Sequence, residues 1–444
     1  MKSSKRKICQ VLALVISGIG ASAAMAAGPL VQGGGSSLVA PTIGNLTPTA
    51  TGEIGLFGTS EATFTYYSVG SGAGQNAFLG NQPTFLSPGL TGTVDFANSD
   101  AALSASQVTA YNSSSVGSAS GPLIQIPYIV TPITVPLVNG PAVTSTTTPQ
   151  TTPGQTHSIA LNDNDLCGIY SGKIANWNQV INPETTSAYA LSAPISVVYR
   201  SDGSGTTELL TRHLAAVCTT ANTATGVTFV DSLTFTASFP SGVPSNFVAA
   251  SGSGGVRTSL TTLSSAGTAA VAYLSPDYTN TFLAPSSTVV TPTGALQLAV
   301  ASLVNATNGL YYAPTYANAT TALGSVASPG GSQTAAANPV NWAPVSGPNY
   351  KSLANPASGY AVSGTSQIIL SQCYASSAVT TAVHDFLNDH YTSASFASIV
   401  HGNGFDTVPS SYQTNISNIF LSNANGYNLD IGNTSVCTGT VTGR

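Results

Sequence analysis

The segment VVYRSDGSGTTELLTRHL, residues 197–214, decides how this chain is read. Val197, Val198 and Tyr199 are strand formers, and Leu210, Leu214 and Val217 then recur on one helical face. Between them lies RSDGSGTT (200–207), a turn of glycines and hydroxyl residues that carries Arg200 and Asp202. Strand, glycine turn and helix in succession are the building unit of an α/β protein. Only 6% of the residues are charged, against roughly 25% in an ordinary globular protein. In such a chain an arginine and an aspartate two positions apart require a role.

The same unit recurs. TFTYYSVGSGAGQNAFLG (63–80) reads as strand, glycine turn and helix, and TVDFANSDAALSASQVTAY (93–111) as strand, turn and helix, with Ser104 and Gln107 forming a capping box. QIILSQCY (367–374) and SSAVTTAVHDFLNDHY (376–391) supply a late strand and helix. The low-complexity tracts 144–156 and 324–339 read as surface loops or insertions, and no repeat of fixed period is present.

With 444 residues the chain exceeds the size of one core, so two or more domains are expected, and 42% apolar residues suffice to fill them. Lys2, Lys5, Arg6 and Lys7, an apolar run from Val11 and the small-residue exit Ala24-Met25-Ala26 form a cleavable secretory leader, residues 1–27. No later stretch has the length of a membrane helix, so membrane insertion is not expected. Past the leader, six basic residues face fifteen acidic ones, a net charge near −9, which argues against nucleic acid as a partner. Cys167, Cys218, Cys373 and Cys437 remain, and an even number in an oxidising compartment implies two disulfides. Three pairings are open; the nearest-neighbour one is Cys167–Cys218 with Cys373–Cys437. None has zinc spacing.

Four turns share one property, the offer of backbone N–H groups at a helix start: GGGSSLVAP (33–41), GSGAGQ (70–75), NSDAALS (98–104) and RSDGSGTT (200–207). Helix N-termini and turn nests bind anions, and open α/β sheets bind ligands beyond their strand ends. The set points to an oxyanion site. Gly33 and Gly34, taken alone, read as a flexible entry to the mature chain. Trp177 reads as a packing residue. His384, Asp385, Asp389 and His390 read as exposed helix polar residues rather than metal ligands, because six helical positions turn His390 away from His384. Arg257 and His213 have no partner assignable from spacing.

These turns, with LCGIYSGKIANWNQV (166–180) and the tail NGYNLDIGNTSVC (425–437), resemble the phosphate-binding proteins of bacterial phosphate ABC transporters, and most of all their secreted DING-type relatives. The resemblance implies a two-lobe periplasmic-binding-protein fold of type II, with the ligand cleft between lobes joined by two hinge strands. It places residues 28–126 and 358–444 in one lobe and 127–357 in the other, with LIQIPYIVTPITVPLV (123–138) supplying a hinge strand and each disulfide within one lobe. The phosphate ligands carried over are Ser37 and Leu38 from the first turn, Ser71 from the second, Asp100 from the third, and Arg200, Asp202, Ser204, Gly205 and Thr206 from the fourth. Ser37 and Leu38 stand where the family usually has Thr and Phe.

The implied protein is a monomeric, cofactor-free receptor in the periplasm or outside the cell, delivering inorganic phosphate to an inner-membrane permease. Chemistry supports the ligand roles independently. Phosphate near neutral pH keeps a proton that sulfate lacks, and a buried carboxylate can only accept hydrogen bonds. Asp100 would therefore take that proton and repel sulfate, while Arg200 donates to oxygen and Asp202 orients it. A secreted surface or matrix protein that retains the fold is an alternative role. An exported phosphatase is another, although the chain holds no Gly-x-Ser-x-Gly elbow and no metal-ligand spacing.

Overall fold

The computed structural model describes residues 28–46, 50–279, 282–287, 296–324 and 326–444; the expected leader lies outside them. Strand β1 (Leu30–Gly35) is flanked in parallel by β2 (Thr63–Ser68) and β3 (Phe96–Ser99). This sheet continues antiparallel through β13 (Ser363–Ser371), β4 (Leu123–Pro132) and β14 (Asp406–Thr407). Gly33 and Gly34 are not a flexible entry: both are buried in β1, between β2 and β3. The Phe96 ring occupies the space that a Cβ on Gly33 would need, so only a bare backbone fits there.

The second sheet runs β10 (Ala299–Val300), β5 (Pro136–Val138), β9 (Ala270–Ala272), β7 (Ser196–Arg200), β8 (Phe247–Ala250). A small third sheet joins β12 (Tyr311–Tyr312), β11 (Ser302–Val304) and β6 (Ala160–Leu161). Two mixed sheets with helices on their faces make this an α/β periplasmic-binding-protein fold, as expected. The chain crosses between the sheets by the run from β4 into β5 and returns into β13. At the crossing, Ile133 N–H donates to Val362 O (2.8 Å).

The crossing strand β4, LIQIPYIVTP, is buried along its whole length, which is why it reads as a continuous apolar run rather than an alternating one. It contains Pro127, which cannot donate to a ladder. A bulge accommodates it: Ser366 pairs with Ile129 and Gln367 with Pro127, leaving Tyr128 as the extra residue. Carbonyls freed there find side chains of the helix Ser377–Thr392. His390 Nε2 donates to Tyr128 O (2.7 Å) and Tyr391 OH to Pro127 O (2.8 Å). His390 is therefore buried, stacked on the Tyr128 ring at 3.7 Å and paired with buried Glu53 at 2.8 Å. The reading of this helix as carrying only exposed polar residues fails at His390, because the bulge requires a donor; His384 and Asp385 remain partly exposed and pair with each other.

The two tracts expected at the surface are largely exposed but also make buried contacts. Thr148 and Thr151 of the first are buried, with Thr148 Oγ1 donating to Ser158 O. The second contains the helix Gln333–Ala336 and leads into Trp342, which is buried against Phe420 and Tyr412. The helix Tyr316–Leu323 packs on β4 and β13, so the chain reaches the first sheet well before residue 358.

Both nearest-neighbour disulfides form, Cys167–Cys218 and Cys373–Cys437. The second anchors a tail whose last residue, Arg444, donates to Val94 O and Ser371 Oγ and lies over the Phe78 ring. His213 and Arg257 acquire partners: His213 bridges Asp163 and Ala354 O, and Arg257 donates to Tyr278 O and Leu296 O. Trp177 is fully buried, edge-on to Tyr189, as a packing residue.

Candidate functional site

The four turns converge where parallel strands end. β1 delivers Ser36, Ser37 and Leu38; β2 leads into helix α1 (Ser71–Gly80); β3 delivers Asp100 just past its end, before helix α2 (Ala105–Asn112) with its Ser104–Gln107 capping box. From the other sheet, β7 ends at Arg200 and leads into helix α3 (Gly205–Val217). Topology explains the meeting: the C-terminal ends of parallel strands in both sheets face one cleft.

Asp100 is 3% exposed. Its Oδ1 accepts from Ser36 Oγ (2.6 Å) and Ser366 Oγ (2.8 Å), while Oδ2 receives only a long contact from Thr206 Oγ1 (3.4 Å). Oδ2 thus keeps acceptor capacity. Burial raises the Asp100 pKa; the bonds from Ser36 and Ser366 and the Arg200 charge act in the opposite direction without cancelling it. Asp100 N–H donates to Ser71 Oγ (3.2 Å), fixing the third turn against the start of α1.

Arg200 is 2% exposed and held as a fork: Nε meets Asp202 Oδ1 at 2.7 Å and Nη2 meets Oδ2 at 2.5 Å. Its backbone N–H donates to Tyr273 OH (2.9 Å). Burial works to raise the Asp202 pKa, but the Arg200 hydrogen bonds and charge prevail and hold it below the usual value. With the Arg200–Asp202 pair neutral and Asp100 nearby, an anion here is met by N–H dipoles as much as by net charge. Helix geometry leaves the first-turn N–H groups of Gly205 and Thr206 without intrahelical partners. Ser204 Oγ instead caps α3 by accepting from Thr207 N–H (3.2 Å). Leu38 N–H goes to Ser36 Oγ (3.1 Å).

The turns of the two sheets touch directly at this place. Gly72 N–H donates to Gly203 O (2.9 Å), and a Cβ on Gly205 would strike Ser71 Oγ and Asp100 Cβ at 2.6 Å. Only glycine permits that approach. The structure thus brings Ser37, Leu38, Ser71, Asp100, Arg200, Asp202, Ser204, Gly205 and Thr206 to one cleft.

Sequence reasoning missed Ser36, Ser253 and Ser366. Ser36 stood inside a recognised turn, one place from the residue chosen. Ser253 lies in FVAASGSGGV (247–256), the same strand, glycine–serine turn and helix pattern as the others, and that signal could have found it. Ser366, within a strand, had no local signal. Among the described residues, no three or more His, Cys, Asp or Glu side chains gather as metal ligands would, and no helix is long and apolar enough to cross a membrane.

Comparison with known proteins agrees with this fold. A family model described as a PBP superfamily domain matches residues 21–324. The chain is 36% identical over 288 residues to "Alkaline phosphatase L" of Pseudomonas aeruginosa PAO1, covering 64% of this chain and 63% of that protein, so the match spans less than two thirds of this relative's length. It is 33% identical over 284 residues to a "Phosphate-binding protein" of an unknown prokaryotic organism, covering 64% of this chain and 67% of that one. Among solved structures, the high-affinity periplasmic phosphate-binding protein PfluDING, bound with phosphate, superimposes with a TM-score of 0.71 at 34% identity, over 93% of this chain and 99% of its own. The chain therefore belongs to the PBP superfamily, with DING-type phosphate-binding proteins among its structural relatives.

Proposed function

We propose that this protein binds inorganic phosphate in the cleft between its lobes and acts as a receptor rather than an enzyme. The observation that carries the reading is Asp100: a buried carboxylate whose Oδ1 is occupied by two hydroxyl donors and whose Oδ2 is left to accept. Opposed to Arg200 and the N–H groups of α3, it suits a tetrahedral oxyanion that still carries a proton. The names of the phosphate-binding relatives favour the same ligand. The proposed site is the nine residues carried over from the four turns, with Asp202 acting by orienting Arg200, Ser204 through its turn and not its capping hydroxyl, and Leu38 through packing, its N–H being engaged by Ser36 Oγ. The protein is a monomer that works without a cofactor in the periplasm or outside the cell, and delivers phosphate to an inner-membrane ABC permease. Calorimetry with phosphate, arsenate and sulfate tests the binding: phosphate heat that arsenate competes for and sulfate does not is expected, and equal binding of sulfate would refute it.

A second reading follows from the relative named as an alkaline phosphatase. Turnover of a chromogenic phosphate ester by the pure protein would establish it. A third role, secreted phosphate capture without a permease, is separated from the first by fractionation with and without phosphate starvation.

A further inference from the structure

We infer that Ser253, on a fifth turn of the cleft, positions the Ser37 hydroxyl as a donor to the bound anion and latches the two lobes together; the inference rests on the phosphate-binding reading. Ser253 opens helix α4 (Gly252–Ser265) after β8 and is fully buried. Its turn is fixed by the same carboxylate that holds Arg200, because Gly252 N–H donates to Asp202 Oδ1 (2.9 Å). From there Ser253 reaches across the cleft. Its N–H donates to Ser37 Oγ (3.1 Å), its Oγ lies 2.9 Å from Ser37 Oγ, and Arg200 Nη1 donates to its Oγ (3.4 Å).

Donor bookkeeping leaves the hydroxyl bond between Ser253 and Ser37 free to run either way, and a bound anion, whose oxygens accept, selects one direction. A guanidinium and a backbone N–H can only donate, whereas a hydroxyl has one proton and two lone pairs. With an anion bound, Ser253 Oγ accepts from Arg200 and passes its own proton to Ser37 Oγ. Ser37 Oγ then accepts twice, from the N–H and the hydroxyl of Ser253, and both its lone pairs are used. Its remaining proton turns into the cleft, where an oxyanion is the acceptor. The relay Arg200, Ser253, Ser37, anion runs donor to acceptor throughout, so each bond polarises the next. Like the Gly72–Gly203 contact, it joins the two halves of the site, so it must break before the ligand leaves.

The latch predicts a kinetic signature. Ser253→Ala removes the hydroxyl contacts and keeps the N–H, so labelled phosphate chased with unlabelled should dissociate about five- to fifty-fold faster, while association changes less than about two-fold. Ser253→Thr, which retains the hydroxyl, should recover most of the loss. Because Ser253 acts through Ser37, the double variant with Ser37→Ala should be little worse than Ser37→Ala alone. Unchanged dissociation in Ser253→Ala, or losses that multiply independently in the double variant, would overturn the latch. A wild-type chain that binds no phosphate would refute the functional reading itself. Ser253→Cys, close in size but a weak hydrogen-bonding group, keeps the test decisive if the alanine variant at 253 does not fold, which thermal melts report: faster dissociation in Ser253→Cys supports the latch and unchanged dissociation overturns it.

Discussion

Asp100→Asn keeps the shape of the side chain that separates a protonated oxyanion from a fully ionised one, and removes its charge. The amide oxygen will take the Oδ1 position, since Ser36 and Ser366 both donate there, at 2.6 and 2.8 Å. The NH2 group then falls at Oδ2, beside Thr206 and facing the anion. Phosphate loses a charged acceptor for its proton, a loss of about 1.5–3 kcal/mol, offset in part by relief of repulsion, so its affinity should fall about ten-fold. Sulfate exchanges a like charge for a donor. Two unit charges about 4 Å apart near a protein surface repel by about 4 kcal/mol, so sulfate should gain about 3 kcal/mol, or about a hundred-fold. The ratio of the two affinities, measured by calorimetry near neutral pH, should therefore shrink by about a thousand-fold. Acid should mimic the substitution: burial raises the Asp100 pKa, and once protonated the carboxyl becomes a donor, so the wild type should also lose discrimination as pH falls. A variant that still rejects sulfate while phosphate binding is unaltered would refute the role of Asp100.

Four further outcomes are expected. Arg200→Ala should weaken phosphate about ten- to a hundred-fold by calorimetry, and Arg200→Lys should recover part, because an ammonium cannot reproduce the fork on Asp202. Arg212→Ala should instead lower the melting temperature with little effect on affinity, because Arg212 Nη2 donates to Ser363 O (2.9 Å) at the hinge strand rather than reaching the cleft. Burial lifts the Asp165 pKa from 3.8 to about 6 against the N–H bonds of Asn162 and Ile181. Its contribution to stability is full below the unfolded value and is lost as pH rises through the folded one, a change of about 2–3 kcal/mol. Asp165→Asn, though less stable outright, should therefore lose less stability than wild type in urea melts taken from about pH 4 to about pH 7.5; parallel losses would refute this. Replacing both Cys167 and Cys218 by serine opens a loop of 51 residues, with an expected destabilisation of about 4 kcal/mol and unchanged phosphate affinity.

Much of the site was legible because its chemistry is local. Each of the four turns is a strand end, a stretch rich in small and hydroxyl residues, and a helix start within about a dozen residues, and turn and cap preferences act over that range. The Ser104–Gln107 capping box and the α/β class follow from the same short-range rules. Asp100 and Arg200 stood out because so few charges compete with them. FVAASGSGGV obeyed the same rule without an arginine or aspartate to mark it, and was passed over.

The remainder depended on contacts between distant parts of the chain. Ser366 meets Asp100 across 266 positions and Ser253 meets Ser37 across 216, and no local pattern in a strand or helix start signals which far carboxylate or hydroxyl it will face. His390 became a buried residue because Pro127 cannot extend a ladder: the bulge at Tyr128 freed a carbonyl, and a buried carbonyl requires a donor. Gly33 became a packing residue because the Phe96 ring fills its side-chain space. The amino-acid sequence by itself determined the α/β units, the anion-seeking turns and the even cysteine set, since these depend on neighbours in the chain. The tertiary structure alone decided which hydroxyl points at which charge, because hydrogen bonds are set by distances of about 3 Å, and those distances exist only once the two sheets have closed on each other.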